Sequence, residues 1–251
     1  MNAPARPAAA PRILYEDELL LGLEKPTGWN VFGQASLAAW LLAVRPDLAG
    51  VGPAEAPAIA HRLDRETSGL MLAAKDREGL RALRAQLSGQ GCRKGYLAVL
   101  EGRLEGTQVI ETPLGGRYRR SARVSVAAPG RRLRGVRPAR TELEPLCPGE
   151  EASLCLARIG AGMRHQIRAH LAHLGHPLWG DRLYGSRRAW PAGAPGFLLH
   201  AWTLELTHPG SGAPLRLACP APESWRELLA TLSLPSPPAP PGALDSARGL
   251  G

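Results

Sequence analysis

Apolar residues in this chain gather in short runs separated by Gly, Pro and charged residues, at 13–16, 19–24, 68–75, 96–102, 123–127, 141–146, 153–159, 198–208 and 214–218. Runs of this length bounded by turn residues read as strands. Alternation is clearest in 198–208, with Leu199, Ala201, Thr203, Glu205 and Thr207 on one face and Trp202, Leu204 and Leu206 on the other. That spacing predicts a sheet buried on one side. Helical spacing is confined to three segments. Residues 34–44 carry Leu37, Leu41, Leu42 and Val44, and Asp76 is placed to N-cap a helix whose Leu80, Leu83 and Leu87 share a face. Residues 164–174 set Ile167, Leu171 and Leu174 inward, which aligns Arg164 and Arg168 one turn apart on another face. Several strand runs follow one another with no helix between, so the fold class is α+β: a mixed, mostly antiparallel sheet with flanking helices.

Residues 1–12 and 234–251 are rich in Pro, Ala and Gly and offer nothing to bury, so both are expected to be disordered tails around a single domain at 13–233. The longest apolar run, Leu37 to Val44, is too short to cross a bilayer, and the first dozen residues lack the apolar core of a signal peptide. A cytoplasmic, monomeric protein is expected. Cys92, Cys147, Cys155 and Cys219 form no CxxC pair and read as reduced core thiols. The net charge of +9 changes the picture through its distribution. Between Thr112 and Thr141 there is no acid, while Arg117, Arg119, Arg120, Arg123, Arg131, Arg132, Arg134, Arg137 and Arg140 match the whole net charge. A general preference for Arg over Lys inflates arginine everywhere, but it does not remove acids from one segment. A stripe of one sign favours a polyanion, because each neutralised phosphate releases counterions.

Candidate chemistry centres on His61-Arg62-Leu63-Asp64-Arg65-Glu66-Thr67-Ser68-Gly69-Leu70, a turn feeding an apolar strand. Taken alone, Asp64 has an ordinary explanation as a turn-capping aspartate. The whole segment, however, closely resembles the signature of the RluA-type RNA pseudouridine synthases, in which the Asp is the nucleophile. Further stretches agree in order: Ile13 to Gly28 with its Lys-Pro-x-Gly ending, Arg93 to Gly102 around Tyr96, Gly162 to Gly185 with its His-Gln-Ile-Arg, and Leu199 to Pro209. The resemblance covers about residues 13 to 226. It implies the pseudouridine synthase fold with a central active-site cleft, and catalytic roles for Asp64, Tyr96 and Arg168.

On that resemblance Asp64 attacks the nucleoside at C1′, or promotes loss of the C2′ proton, and Arg168 pairs with it and keeps it charged. Tyr96 stacks on the displaced uracil and brings its phenolic oxygen to C5. The target base must leave its stack, and Arg62 resembles the family arginine that fills the vacancy. His61, Lys94, Arg164 and His165, with Arg117, Arg119 and Arg120 of the stripe, complete the set expected to meet RNA. Isomerisation needs no group from outside, so no metal, nucleotide or organic cofactor is expected. His165, His170, His173 and His176 lack a zinc-site spacing. Met163 stands where the family most often has Arg, an absence that Arg164 is placed to fill, and Gly95 is expected to loosen the strand that carries Tyr96. No small RNA-binding domain is expected before Ile13, and this leans the expected substrate to tRNA over rRNA. Two other readings stay open: a non-catalytic RNA-binding or ribosome-assembly protein, and an RNA nuclease using the histidine cluster. Replacing arginines of the 117–140 stretch by alanine is expected to raise the RNA dissociation constant and to flatten log K against log salt by roughly 0.7–0.9 per lost phosphate contact. An unchanged slope in filter-binding titrations would place the stretch off the substrate.

Overall fold

Strand β3 (Ser68–Ala74) is buried along its whole length, and this sets it at the centre of the molecule. A computed structural model of the chain describes residues 9–89, 91–118, 121–130, 132–190 and 196–241. Around β3, β1 (Arg12–Glu16), β2 (Leu20–Lys25), β4 (Cys92–Glu101), β5 (Gln108–Ile110), β9 (Thr141–Pro148), β10 (Ala152–Ile159), β11 (Leu199–Thr207) and β12 (Pro214–Ala218) complete a nine-stranded sheet of order β1-β2-β3-β11-β4-β10-β9-β5, with β12 on β11. Every pairing in it is antiparallel except β3 with β11. The mixed, mostly antiparallel α+β architecture is therefore the one predicted.

The central strands bury both faces, not one. In β4, Tyr96, Ala98 and Leu100 enter the main core, while Leu97 and Val99 enter a second cluster on the opposite face. Helices α1 (Leu37–Val44), α2 (Arg77–Ser88) and α3 (Gln166–His173) contribute Leu37, Leu41, Leu80, Leu83, Leu87, Ile167 and Leu171 to the main core. Asp76 caps α2 as expected, its Oδ1 accepting from the Gly79 amide at 2.7 Å. Helix α4 (Ser224–Ala230), which the periodicity did not reveal, covers the opposite face with Trp225 and Leu229. The alternation read from 198–208 is corrected by a register shift between Ala201 and Thr203. An inserted residue there puts Leu199, Ala201, Leu204 and Leu206 on the same core and turns Trp202 to the other.

Part of the basic stripe folds apart from this sheet. Strands β6 (Leu114–Gly116), β7 (Val124–Val126) and β8 (Arg134–Arg137) form a three-stranded antiparallel sheet of order β7-β6-β8. Leu114, Val124 and Val126 pack it on α3 through Ala169, with Tyr184. Arg117, Arg123, Arg132, Arg134 and Arg137 are exposed on it, while Arg140 is tied to Glu111 and Glu142. Arg119, Arg120 and Arg131 lie outside the described residues.

Two small residues let the central strands close up. Gly69 has φ +113°, and a Cβ there would sit 2.2 Å from the Ala201 carbonyl oxygen. A Cβ on Gly95 would meet Thr203 Oγ1 at 2.4 Å, so Gly95 serves close contact of β4 with β11, opposite the register shift between Ala201 and Thr203. Just outside the 13–233 range, the Ala9 carbonyl accepts from Trp29 Nε1 at 2.9 Å, Pro11 is buried, Arg12 pairs with Glu24, and Leu234 is buried. Of the expected tails, residues 1–8 and 242–251 lie outside the described residues, whereas 9–12 and 234–241 lie within them. Cys92, Cys147, Cys155 and Cys219 are free thiols. Among the described residues no helix is long and apolar enough to cross a membrane.

His200 ties this centre together. Its Nε2 lies 2.9 Å from the Cys219 carbonyl and its Nδ1 2.9 Å from Ser68 Oγ, and the ring is fully buried. Burial pulls its pKa down to about 4, so the ring folds neutral and the unfolded chain takes up the extra proton as pH falls from 6.5 towards 4. The stability this ring contributes is present above pH 6.5 and lost across that window. A His200→Gln variant is expected to lose less of its urea midpoint between pH 6.5 and 4.5 than the parent chain; equal losses would mean that the ring titrates normally.

Candidate active site

Residues 60–67 form the loop that enters β3, and main-chain bonds fasten it at both ends. Ala60 donates its amide to the Leu72 carbonyl at 2.9 Å, and Leu72 donates to His61 Nε2 at 3.0 Å. The His61 ring, held by burial at a pKa of about 3, is therefore neutral and engaged as an acceptor. Beyond Asp64, the loop is stitched to the Lys25-Pro26-Thr27-Gly28 turn. Gly28 donates to the Arg65 carbonyl at 2.9 Å, Arg65 Nε returns a bond to the Gly28 carbonyl at 3.1 Å, and Thr27 Oγ1 donates to the Glu66 carbonyl at 3.3 Å. Lys25 lies beneath, fully buried, with Nζ donating to the carbonyls of Pro26, Trp29 and Arg65 at 3.0–3.1 Å. Desolvation draws its ammonium down to about 7, against the pull of Glu66 and Asp64.

Asp64 sits at the apex of this loop, partly exposed in a cavity of about 390 Å³. Arg168 reaches it from α3: Nη1 donates to Asp64 Oδ2 at 3.1 Å. The same guanidinium is clamped from behind by Asp181, with Nε on Oδ2 at 2.7 Å and Nη2 on Oδ1 at 2.9 Å. Its carbon lies 4.9 Å from the ring centre of Tyr184 and 4.4 Å from that of Phe197. These carboxylates raise the Arg168 pKa despite the desolvation that opposes them. On the other side of Asp64, His165 Nε2 is 3.5 Å from Oδ1.

The cavity draws in most of the predicted site. His61, Arg62, Asp64, Lys94, Tyr96, Arg164, His165 and Arg168 all line it. Tyr96 is buried in its wall, where desolvation and the charge of Asp64 hold its phenol protonated well above the ordinary range. Arg62 is exposed at the rim. Lys94 is buried and donates from Nζ to the Leu87 carbonyl at 2.9 Å. Arg117 is placed elsewhere, its guanidinium 5.9 Å from the ring centre of the exposed Tyr118. Arg164 does not align with Arg168, because His165 is left-handed (φ 56°) and α3 starts only at Gln166. Arg164 instead donates to the carbonyls of Ser121 and Ala122, fastening the small basic sheet to the mouth of the site.

The histidines do not converge. His170 is fully buried between Thr141 Oγ1 and the Thr112 carbonyl, His176 faces the Glu101 carbonyl, and His173 is exposed. A nuclease built on that cluster has no common focus here. Asp181, Tyr184, Phe197 and Lys25 are the contributors that sequence reasoning did not assign. Lys25, Asp181 and Tyr184 lie inside stretches that carry the family resemblance, but nothing in their local spacing reveals what they touch.

Comparison with known proteins agrees with this arrangement. Residues 20–173 match the family model described as RNA pseudouridylate synthase. The chain is 36% identical over 229 residues to the ribosomal large subunit pseudouridine synthase D of Nitrosomonas europaea, covering 87% of this chain and 64% of that one. It is 34% identical over 238 residues to the ribosomal large subunit pseudouridine synthase C of Escherichia coli, covering 90% and 71%. The chain thus spans about two thirds of the length of these relatives. The structure of human RNA pseudouridylate synthase domain containing 4 superposes with a TM-score of 0.71 at 25% identity, over 90% of this chain and 94% of that one. The matched stretch holds Asp64, Tyr96 and Arg168, and the chain belongs to the RNA pseudouridylate synthase family.

Proposed function

We propose that this chain isomerises uridine to pseudouridine in structured RNA, with residues 13–233 as the catalytic unit and Asp64 as the nucleophile. The observation that carries the reading is the Arg168 Nη1 to Asp64 Oδ2 contact at 3.1 Å in a cavity also walled by Tyr96. Binding alone needs no carboxylate facing the cavity beside a clamped guanidinium and an aromatic ring, and this weighs against the non-catalytic alternative.

In this reading an extruded uridine enters the cavity with its base against Tyr96 and its ribose over Asp64. Asp64 opens the N1–C1′ bond either by attack at C1′, forming an ester that C5 of the freed uracil then displaces, or by drawing the C2′ proton, which it returns as C5 adds to C1′ of the glycal. Arg168 donates to the carboxylate and aims it. Because the Tyr96 phenol is protonated at rest, its oxygen accepts the C5 proton only by handing its own on, and Asp64 is the nearby carboxylate whose charge it feels. Arg62 at the rim is placed to fill the gap left by the extruded base, and the small basic sheet to hold backbone phosphates.

The substrate class is structured RNA. The relatives' names favour ribosomal large-subunit RNA over the tRNA that the sequence leaned towards, and uridine mapping with and without the protein distinguishes them. We take the protein to act as a monomer.

With RNA tritiated at uracil C5, the parent chain is expected to release tritium from uncleaved RNA, and Asp64→Asn to lose on the order of 10⁴-fold or more in rate. Binding or strand scission without release would reject the activity. Asp181→Ala leaves the guanidinium of Arg168, only 8% exposed, short of its main partner. The variant is expected to lose about 3–5 kcal/mol of stability in urea denaturation, the cost of breaking a buried pair. A loss below about 1 kcal/mol, the scale of an exposed pair, would mean that the clamp is solvent-screened.

A further inference from the structure

The oxygen of Asp64 that Arg168 does not touch faces a histidine, and the state of that histidine is set from outside the cavity. His165 Nε2 lies 3.5 Å from Asp64 Oδ1, and His165 Nδ1 lies 3.1 Å from the Tyr184 hydroxyl. Tyr184 is buried, and its oxygen accepts the Val124 amide of β7 at 3.1 Å. We propose that Tyr184 is a positioning residue: it donates its hydroxyl proton to His165 Nδ1 and so holds His165 as the Nε2–H tautomer, whose N–H points at Asp64 Oδ1. The proposal rests on Asp64 being the nucleophile.

The direction of this chain follows from its two ends. At one end, an Nδ1–H ring would turn the Nε2 lone pair onto an anionic carboxylate oxygen, which is repulsive, whereas an Nε2–H ring is attracted to it. At the other end, the Val124 N–H is a donor that cannot reverse, so it occupies one acceptor site of the phenol oxygen and leaves the hydroxyl proton to be directed. Two acceptors compete for that proton: His165 Nδ1 at 3.1 Å and the Val124 carbonyl at 3.3 Å. The Nε2–H ring makes Nδ1 a lone pair, so the shorter contact is the one that forms. Burial pulls the His165 pKa down to about 4, so the ring reaches Asp64 uncharged.

The chemical benefit is an asymmetric carboxylate. Oδ2 is held by a charged donor at 3.1 Å, and Oδ1 is steered by a neutral donor at a longer distance, so Oδ1 keeps the electron density an attack requires. An imidazolium in the same place would put a second charged donor on the carboxylate, at Oδ1, and blunt it. The guanidinium carbons of Arg123 and Arg168 lie 5.2 and 4.9 Å from the Tyr184 ring centre, and the ring packs with Val124 and Ala169. Phenylalanine would preserve that packing and remove only the hydroxyl.

The test reads the ring nitrogens of the full chain labelled with ¹⁵N-histidine, without RNA, in long-range ¹H–¹⁵N spectra. The signals of His165 are identified by their loss in His165→Gln. The parent is expected to show a protonated Nε2 and a bare Nδ1, and Tyr184→Phe a mixture of tautomers. The same variant should lose about tenfold in kcat, the scale of one lost hydrogen bond, with KM within about twofold. A parent ring protonated on Nδ1, an unmoved tautomer in Tyr184→Phe, or a moved tautomer with unchanged kcat each overturns the proposal. The parent spectrum decides the first of these even if the variant fails to fold. Tritium release that survives in Asp64→Asn would instead sink the nucleophile assignment while leaving the ring chain standing.

Discussion

A guanidinium shared between two carboxylates organises this molecule. Arg168 is almost wholly buried, and a charge in that position is tolerated only when it is neutralised and its donors are used. Asp181 supplies the neutralisation with two short bonds, which leaves one edge of the guanidinium for Asp64. The division of labour matters. A guanidinium held from behind cannot swing to follow the carboxylate in front of it, so the orientation of Asp64 is fixed by α3 and the loop before the 3-10 turn at Arg182–Tyr184. With two acids against one arginine, Asp64 is paired without being fully quenched.

The second constraint is the attachment of the loop. Asp64 lies at the meeting of two sequence motifs far apart in role: the Lys25-to-Gly28 turn and the His61-to-Leu70 segment. Lys25 is the device that joins them, a buried ammonium spending all its donors on carbonyls from both. Gly69 then lets β3 run against β11 at a separation no side chain permits, which sets the depth of the loop relative to the strand that bears Tyr96.

Much of this was legible in the residues. Short apolar runs bounded by turn residues located β1–β4, β7 and β9–β12, since such a run announces itself locally. Strands β5, β6 and β8 lack the run of apolar residues that reveals the comparably short β7, and β8 is exposed throughout and carries two arginines. The convergence of Asp64, Tyr96 and Arg168 was foreseeable from the motifs. The partner of Arg168, thirteen residues away, was not, because a buried aspartate and a surface aspartate look alike in sequence. Arg164 was misplaced for a definite reason. Helical spacing was extended through His165, whose left-handed backbone breaks it. The faces of 198–208 were misjudged at Trp202, where one extra residue shifts the phase of everything after it.

The fastening of the 60–67 loop has a corollary for how this site can diversify. Its bonds fall mostly on backbone oxygens and amides of residues 60, 65, 66 and 72, and none of them involves the Arg62 side chain. The side chain next to Asp64 thus takes no part in holding it. Exchanging that one rim side chain leaves the Asp64 oxygens where the scaffold put them, so under the proposed function a preference for a neighbouring nucleotide can change there without moving the carboxylate.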